Sequence, residues 1–317
     1  MSRTEPGIPL NGILNIYKEQ GFTSHDVVAK LRGILKTRKI GHTGTLDPMA
    51  EGVLPVCVGN ATKLCELLTD TGKEYETELL FGLTTDTQDI TGTVTGRASE
   101  ALVNSLSEEA VQTAVKSFVG AYDQLPPMYS AIKKNGKRLH ELAREGKTVN
   151  RERRRVYIES IEILSAALPR MKLRVSCSKG TYIRTLCQDI GDQLGVSATM
   201  TSLLRTRVDQ FELQSAKRIS EIELCQTEGE PDRFLIPTES FFSSLRRIAS
   251  GDAVKNGAQY EKLVRNGNVL PLSLFKEGAL HPEKGERLRV YDPDGCFAGI
   301  YCFDEADALL RPYKLFR

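Results

Sequence analysis

A loop that runs directly into a buried strand constrains the fold of this chain most. Between Gly41 and Gly52 the sequence is rich in glycine and small residues, and it contains one Asp-Pro step at Asp47. The apolar stretch 53–58 follows at once and predicts a buried strand. The loop therefore holds the Asp47 carboxylate in a shaped turn, although Asp-Pro steps are also common in turns without any chemical role.

The rest of the chain alternates between helix and strand patterns and shows no internal repeat. Short strands are predicted at residues 13–17, 75–83, 90–95, 156–164, 173–177 and 200–211, and helices at 61–68, 107–118, 137–144 and 181–194. One further helix is predicted to begin at Ser24, which can cap it, because the apolar residues from Val27 to Leu35 keep helical spacing. This order of elements predicts an α+β fold.

Two domains are expected in a chain of 317 residues. A polar, acidic stretch at 227–232 follows the first series of elements, and turn signals with short strand patterns fill the C-terminal part. We therefore divide the chain into a domain at 1–245 and a small β-rich domain at 246–317. Within the first domain, residues 121–153 carry many turn signals and little apolar pattern, which predicts a long insertion.

The distribution of charge is more informative than its total. Lys and Arg number 43 against 41 Asp and Glu, so the net charge identifies no partner. Residues 30–39 hold five basic side chains and no acidic one, and residues 128–159 hold ten basic against four acidic ones. Such clusters are more often solvated faces than nucleic-acid surfaces, and by themselves they do not decide between the two.

Several classes of protein are disfavoured by what the sequence lacks. The apolar runs fall short of the ~18 residues that a membrane-spanning helix needs, and residues 1–10 do not resemble a signal peptide, so we expect a cytoplasmic protein. The seven cysteines are odd in number and form no Cys-x-x-Cys pair. We therefore expect neither a disulfide framework nor a metal site, and no cofactor.

A long motif gives the chain a resemblance to a known family. The run from Arg38 to Lys63 resembles the GHTGxLDPxAxGxLPxxxGxATK block of TruB-type tRNA pseudouridine synthases. Further matches follow in the family's order at residues 73–75, 82–89, 124–133, 136–146, 177–186 and 203–208, so that the resemblance covers about 11–210. The tail at 246–317 is similar, more loosely, to the PUA RNA-binding module. One departure is Lys18-Glu19, where the family usually has Lys-Pro.

The resemblance implies both a fold and an activity. The fold is a mixed, largely antiparallel sheet with flanking helices, followed by a small PUA-like domain. The activity is the isomerisation of the T-loop uridine, U55, of tRNA to pseudouridine: the base is flipped out, the N1–C1′ bond is broken, and the uracil is rejoined through C5. The family implies the tRNA T stem-loop as partner, a monomer without an obligate protein partner, and no membrane, metal or cofactor.

The resemblance also assigns roles to individual residues. Asp47 matches the catalytic carboxylate, which either attacks C1′ or deprotonates the sugar to form a glycal. Arg184 matches the arginine that pairs with it, and such a cation keeps a carboxylate ionised in a dry pocket. Tyr75 matches the tyrosine that stacks on the uracil and handles its C5 proton. The remaining substrate-binding candidates are His42, which would contact a flipped nucleotide, and Tyr182 and Leu203, which would line the pocket.

Other polar residues are expected to lie outside the site. Asp89 stands in a turn-rich linker, where a solvated turn residue and a residue with a role in the site are both open, and it is left out of the predicted site. His25, His140 and His281 are given structural roles. Residues 128–155 are similar to the mobile thumb-like insertion of the family, and their lysines and arginines are expected to meet RNA phosphates.

Two other functional classes remain open from the residues alone. A non-catalytic RNA-binding or RNA-folding protein would also carry basic segments and a PUA-like tail. A nucleoside hydrolase or glycosidase would break the same bond, but it usually needs a paired acid and water-activating group or a metal. The combination of Asp47, Tyr75 and Arg184 favours the synthase.

Overall fold

The protein is built around two β-sheets of unequal size. A computed structural model describes residues 10–69, 71–134, 136–248 and 253–316. The strands of the described chain are β1 (Gly12–Lys18), β2 (Ile40–His42), β3 (Glu51–Val58), β4 (Lys73–Phe81), β5 (Leu83–Thr85), β6 (Val94–Arg97), β7 (Gly120–Gln124), β8 (Lys133–Lys134), β9 (Lys137–Arg138), β10 (Arg154–Ala167), β11 (Arg170–Cys177), β12 (Ala198–Val208), β13 (Phe211–Glu212), β14 (Leu270–Pro271), β15 (Arg287–Tyr291), β16 (Phe297–Asp304) and β17 (Leu309–Leu315).

The helices flank these sheets. They are α1 (Ser24–Ile34), α2 (Cys65–Thr69), α3 (Glu100–Asn104), α4 (Glu108–Lys116), α5 (Leu139–Arg144), α6 (Ile183–Gln193), α7 (Ile219–Glu228) and α8 (Gly257–Arg265). The predicted capping residue of α1 was wrong by one position: Thr23 is the N-cap, and it forms a capping box with Asp26. Ser24 is free to bond elsewhere, and it does so at the candidate site. No helix of the described ranges is long and apolar enough to cross a membrane.

The large sheet is mixed, as expected. Its main path runs β1-β3-β12-β4-β11-β10-β7, with β2 paired to β3 and β13 paired to β12. Every pairing in it is antiparallel except that of β3 with β12, where Arg205 lies beside Gly52. This parallel pair joins the N-terminal motif to a strand far along the chain. The prediction of a mixed, largely antiparallel α+β fold is confirmed.

The period of two along the central strands separates a buried face from a solvated one. On β4 and β11 the buried positions include Leu79 and Leu173, which belong to one core cluster with Leu186 and Ile190 of α6. The alternate positions carry charges that pair across strands, as in the Arg174–Glu76 contact at 2.9 Å. At these central strands α6 therefore covers one face of the sheet, and the cross-strand ion pairs lie on the other.

The C-terminal part forms a separate small sheet. Its strands are antiparallel in the order β14-β17-β16-β15, and Tyr260 and Val264 of α8 belong to its core. The expected small β-rich part is confirmed. Ile300 and Phe316 from this region share a buried cluster with Ile13 of the large sheet, so the two parts are packed together.

Local polar chemistry explains one wrong element. A strand was predicted at 90–95, but the strand of this region is β6, which begins at Val94. The Asp89 carboxylate accepts hydrogen bonds from the hydroxyls of Thr87 and Thr91. These bonds stabilise a turn where a strand paired with a neighbouring strand was predicted. None of α3, α7 and α8 was predicted. Residues 59–64, which overlap the expected helix at 61–68, are 3-10 rather than α. The expectation for residues 1–10 lies outside the described chain except at Leu10.

Candidate active site

The loop between β2 and β3 holds Asp47 in a fixed turn. The Ala50 amide donates to the Asp47 carbonyl at 3.0 Å, which closes the turn. On the preceding side, the Ser24 hydroxyl accepts a hydrogen bond from the Leu46 amide at 2.9 Å. The start of α1 thus anchors the residue next to Asp47, and this anchor explains why the polar Ser24 is buried.

Lys18 holds the same loop from below. Its side chain is fully buried, and the ammonium donates to the carbonyls of Ala50 at 2.6 Å and Pro48 at 3.3 Å. Burial lowers the pKa of Lys18 to about 8, while the nearby Asp47 carboxylate opposes that shift. Although Glu19 replaces the family's usual proline, the lysine still clamps the loop.

Arg184 holds three separate segments together, at Asp47, Thr87 and Tyr129. It is the second residue of α6 and is only 4% exposed. Its Nε lies 2.9 Å from Asp47 Oδ2, Nη1 donates to the Thr87 carbonyl at 2.8 Å, and Nη2 donates to the Tyr129 carbonyl at 2.9 Å. A guanidinium bonded in three directions cannot turn, so it presents a fixed positive charge to the Asp47 carboxylate.

Asp89 is the functional candidate that sequence reasoning missed. It was left out of the predicted site because a solvated turn was an equally good interpretation, but its side chain is buried, and Oδ2 lies 3.6 Å from Arg184 Nη1. The other oxygen, Oδ1, accepts from the Thr91 amide at 3.0 Å as well as from two threonine hydroxyls. Asp89 therefore lies behind Arg184 as a second carboxylate. A turn-rich segment gives no sign of a partner 95 positions away, and only the match at 82–89 pointed to it.

A cavity of about 580 Å³ opens above the Asp47–Arg184 pair. Five of the six predicted site residues line it: Asp47, Tyr75, Tyr182, Arg184 and Leu203. Its volume falls within the range of about 300–1,000 Å³ that is usual for small-ligand pockets, so it can take a nucleotide. Across the described ranges, no three His, Cys, Asp or Glu side chains are grouped as metal ligands.

Two of the three tyrosines that line the cavity, Tyr75 and Tyr182, are neutral phenols. Burial raises the pKa of Tyr75, which lies on β4, and the Arg205 guanidinium opposes part of that rise. Burial also raises the pKa of Tyr182, whose backbone forms two hydrogen bonds with the Gln124 side chain at 2.8 and 2.9 Å. The cavity therefore offers aromatic surface and neutral hydroxyls beside one fixed ion pair.

His42 lies beside the cavity rather than in its lining. Its Nδ1 accepts from the Gly44 amide at 3.3 Å, and its ring meets the exposed His25 ring edge to face, with the centroids 5.5 Å apart. Burial lowers the pKa of His42 to about 4. His42 is therefore a neutral ring at the rim, and His25, which was given a structural role, stands next to it.

The insertion at 121–153 contributes to the cavity wall as well as to the surface. Ser130 and Ala131 line the cavity, and the Tyr129 carbonyl is the acceptor that holds Arg184. The basic side chains lie outside this wall: Lys133, Lys137 and Arg138 are exposed. The segment thus joins a charged outer face to the residue that pairs with Asp47.

Comparison with known sequences gives the same picture. Residues 32–183 match the model of the TruB family pseudouridylate synthase N-terminal domain, and residues 184–243 match that of the tRNA pseudouridylate synthase B C-terminal domain. The chain is 48% identical over 316 residues to tRNA pseudouridine synthase B of Lachnoclostridium phytofermentans, covering 97% of this chain and all of that protein. It is 40% identical to the enzyme of the same name from Bacillus pumilus, covering 96% and 97% of the two chains.

Solved structures support the fold. A chain in the crystal structure of a Cbf5-Nop10-Gar1 complex superposes with a TM-score of 0.66 at 24% identity, covering 96% of this chain and 85% of that one. A chain in an H/ACA RNP bound to a substrate RNA superposes with a TM-score of 0.65 at 22% identity, with the same coverage of 96% and 85%.

The mixed sheet and the family matches define a pseudouridine synthase, an isomerase that acts on uridine in RNA. More particularly, the chain belongs to the TruB family of pseudouridylate synthases. The resemblance drawn from the motifs is confirmed.

Proposed function

We propose that this protein converts the T-loop uridine U55 of tRNA to pseudouridine, with Asp47 as the catalytic carboxylate. The observation that carries the proposal is the 2.9 Å contact between Asp47 Oδ2 and Arg184 Nε at the floor of a nucleotide-sized cavity. The choice of tRNA as substrate is supported by the relatives, which are named tRNA pseudouridine synthase B and match nearly the whole chain.

The uridine must leave the base stack before it can reach Asp47, because the carboxylate lies in a cavity and not on a flat surface. Unstacking costs a few kcal/mol, which contacts to the RNA backbone and to the pocket offset. In this proposal Tyr75 and Leu203 enclose the flipped uracil, Tyr182 closes the wall, and His42 holds a neighbouring nucleotide at the rim.

Asp47 then acts at the sugar. The N1–C1′ bond breaks with its electron pair left on the uracil, and the carboxylate either bonds to C1′ or removes a sugar proton to give a glycal. The uracil turns within the closed cavity, and C5 bonds to C1′ as the Asp47–C1′ bond breaks or as the glycal takes its proton back from Asp47. The C5 proton is then lost and N1 takes up a proton. Arg184 keeps the carboxylate in place throughout, because its other N–H groups are held by Thr87 and Tyr129.

The remaining parts of the chain bind RNA in this proposal. Residues 1–245 form the catalytic domain, and residues 246–317 form a PUA-like RNA-binding domain. The exposed lysines and arginines of the insertion meet phosphates, and the Tyr129–Arg184 hydrogen bond links closure of that segment to the catalytic pair. We further propose that the enzyme works as a monomer in the cytoplasm and without a cofactor.

The test uses an unmodified tRNA transcript with tritium at uracil C5, incubated with the wild-type protein and with Asp47→Asn. The wild type should release tritium from one T-loop position, while Asp47→Asn should release none and should bind tRNA as before. Asp192→Asn is the matched control, because Asp192 lies exposed on α6, the helix that carries Arg184.

Each rival function predicts another result. A non-catalytic RNA-binding protein would bind the transcript without tritium release. A nucleoside hydrolase would liberate free uracil. Turnover by Asp47→Asn near the wild-type rate would refute the assignment of the carboxylate.

A further inference from the structure

Arg205 is a buried cation that the roles assigned so far do not explain. It is 1% exposed, and it stands at the cavity on β12. Its Nε donates to the Val53 carbonyl at 2.7 Å and its Nη2 to the Gly44 carbonyl at 3.2 Å. Both acceptors are neutral, and no ion pair to Arg205 is found among the described residues. A buried charge without a counter-ion is unfavourable for folding, so a functional reason for it must be sought.

The strand register brings Arg205 to Tyr75. β12 and β4 are antiparallel, and Arg205 lies directly opposite Tyr75 in their register. Both side chains line the cavity that Asp47 enters. Cross-strand neighbours on one face lie within about 5.5 Å at Cβ, close enough for a guanidinium to reach a phenol oxygen. The positive charge of that guanidinium opposes part of the rise that burial produces in the pKa of Tyr75.

The donors and acceptors that Arg205 and Tyr75 carry determine the direction in which the Tyr75 hydroxyl points. A guanidinium carries only donors, whereas a phenol oxygen can accept while its own hydrogen donates elsewhere. Because the Arg205 guanidinium opposite Tyr75 is positively charged and can only donate, it repels the Tyr75 hydrogen, which therefore points away from Arg205. The remaining free side of the hydroxyl is the cavity that both residues line.

We propose that Arg205 is a positioning residue that makes Tyr75 a hydrogen-bond donor to a carbonyl oxygen of the uracil. The inference rests on the proposed function. When the N1–C1′ bond breaks, the electron pair stays on the uracil, and the negative charge spreads over N1, O2 and O4. A donor aimed at one of these oxygens stabilises that anion. The pair then forms the C5–C1′ bond, the C5 proton passes to water, N1 takes up a proton, and Tyr75 ends the cycle as it began.

The same geometry concerns specificity. Uracil presents an acceptor at O4, where cytosine presents an amino donor, so a hydroxyl that can only donate into the cavity matches uracil at that edge. A Tyr75 hydroxyl free to rotate would accept from cytosine equally well. Arg205 thus contributes to the choice of base without touching it.

A double-mutant cycle tests the coupling. Single-turnover rates at saturating tRNA are measured for the wild type, Arg205→Met, Tyr75→Phe and the double variant. We expect Arg205→Met to slow the wild type by about 10- to 100-fold, and to slow Tyr75→Phe by less than about 3-fold, because the hydroxyl on which Arg205 acts is already absent. Equal factors in both backgrounds would overturn the proposal, since Arg205 would then act only through the Gly44 loop.

Two variants guard against a purely structural effect. Arg207→Met removes an arginine of the same strand whose side chain is 41% exposed and pairs with Glu74, and it should leave the rate unchanged. If Arg205→Met fails to fold, Arg205→Lys is used in the cycle, because it keeps the charge and can still donate to one partner. Thermal melting of each variant shows which of the two applies.

Thiouridine substrates test the direction of the hydrogen bond. Transcripts carrying 4-thiouridine or 2-thiouridine at the target replace one carbonyl oxygen with sulfur, a weaker acceptor. One of the two should slow the wild type by about 10-fold and should affect Arg205→Met much less. If Tyr75 instead removes the C5 proton, both thio substrates will behave alike in the wild type and in Arg205→Met, which refutes the donor role. Failure of the proposed function is a different result: Asp47→Asn would remain active.

Discussion

The replacement of Arg184 is the sharpest test of how the site is held together. Arg184→Met removes the cation shared by Asp47 and Asp89, whose side chains are 36% and 6% exposed, and it leaves the carbonyls of Thr87 and Tyr129 without their charged donor. Breaking a buried ion pair from one side costs about 3–5 kcal/mol, but the contribution of the half-open Asp47 is reduced by solvent. We expect the free energy of unfolding to fall by about 3 kcal/mol, and single-turnover pseudouridine formation to fall by about 100-fold or more.

The two carboxylates predict a rescue of stability without a rescue of rate. In Arg184→Met, Asp47 and Asp89 face the same gap with no cation, so adding Asp89→Asn removes one uncompensated buried charge. The double variant should regain about 1–2 kcal/mol in urea denaturation while remaining inactive. Arg184→Lys should fall between the wild type and Arg184→Met, because the three N–H groups of an ammonium lie on one nitrogen and cannot reach the partners of Nε, Nη1 and Nη2 together. Normal turnover by Arg184→Met, or no gain from Asp89→Asn, would refute the shared-cation arrangement.

Three further predictions follow from the geometry of the loop, the rim and the insertion. Gly52→Ala should destabilise the fold by about 3 kcal/mol or more in urea denaturation. The reason is that Gly52 has φ +103° and that an added Cβ would lie 2.2 Å from the Arg205 carbonyl oxygen. The control is Gly33→Ala on α1, where the space is open, and it should be neutral or slightly stabilising. Burial lowers the pKa of His42 to about 4, against about 6.5 in the unfolded chain, so between these values only the unfolded chain takes up a proton on that ring. The free energy of unfolding should therefore fall by about 3 kcal/mol as the pH falls through that window. His42→Gln should lack this fall, and equal pH dependence of the two proteins would contradict the prediction. Neutralising Lys133, Lys134, Lys137 and Arg138 together should make the plot of log K for tRNA against log salt less steep. The slope should fall in magnitude by roughly 0.7 to 0.9 for each phosphate that the variant no longer binds, while much of the single-turnover rate at saturating tRNA survives. An unchanged slope would mean that the segment is a solvated face.

The sequence patterns were reliable where one physical rule governs a whole segment. The strand at Val53–Val58 and the helix around Glu108–Lys116 followed from apolar runs and helical spacing, and both lie where they were predicted within a few residues. The grouping of Asp47, Tyr75, Tyr182, Arg184 and Leu203 depended instead on the family resemblance, since periodicity carries no information on distances between segments.

Buried polar residues are where local patterns fail. Leu203 and Arg205 are two positions apart on β12, so the alternation of a strand places both on the inner face. From the sequence alone, the charge of Arg205 predicts an exposed side chain, because its hydrogen-bond partners are not visible. Those partners, the carbonyls of Val53 and Gly44, lie in a distant segment. Asp89 was missed for the same reason. Such departures from local pattern are concentrated at functional sites.

The parallel pairing of β3 with β12 also determines the stage of synthesis at which the cavity can form. The Val53 carbonyl and the Arg205 side chain are bonded across 152 positions, and closing so long a loop is slow and entropically unfavourable. A nascent polypeptide carries the Asp47 segment out of the ribosome early, but the strand that completes its floor is among the last of the sheet to be translated. A chain released before Arg205 is translated would therefore lack the strand that pairs with β3 and lines the cavity.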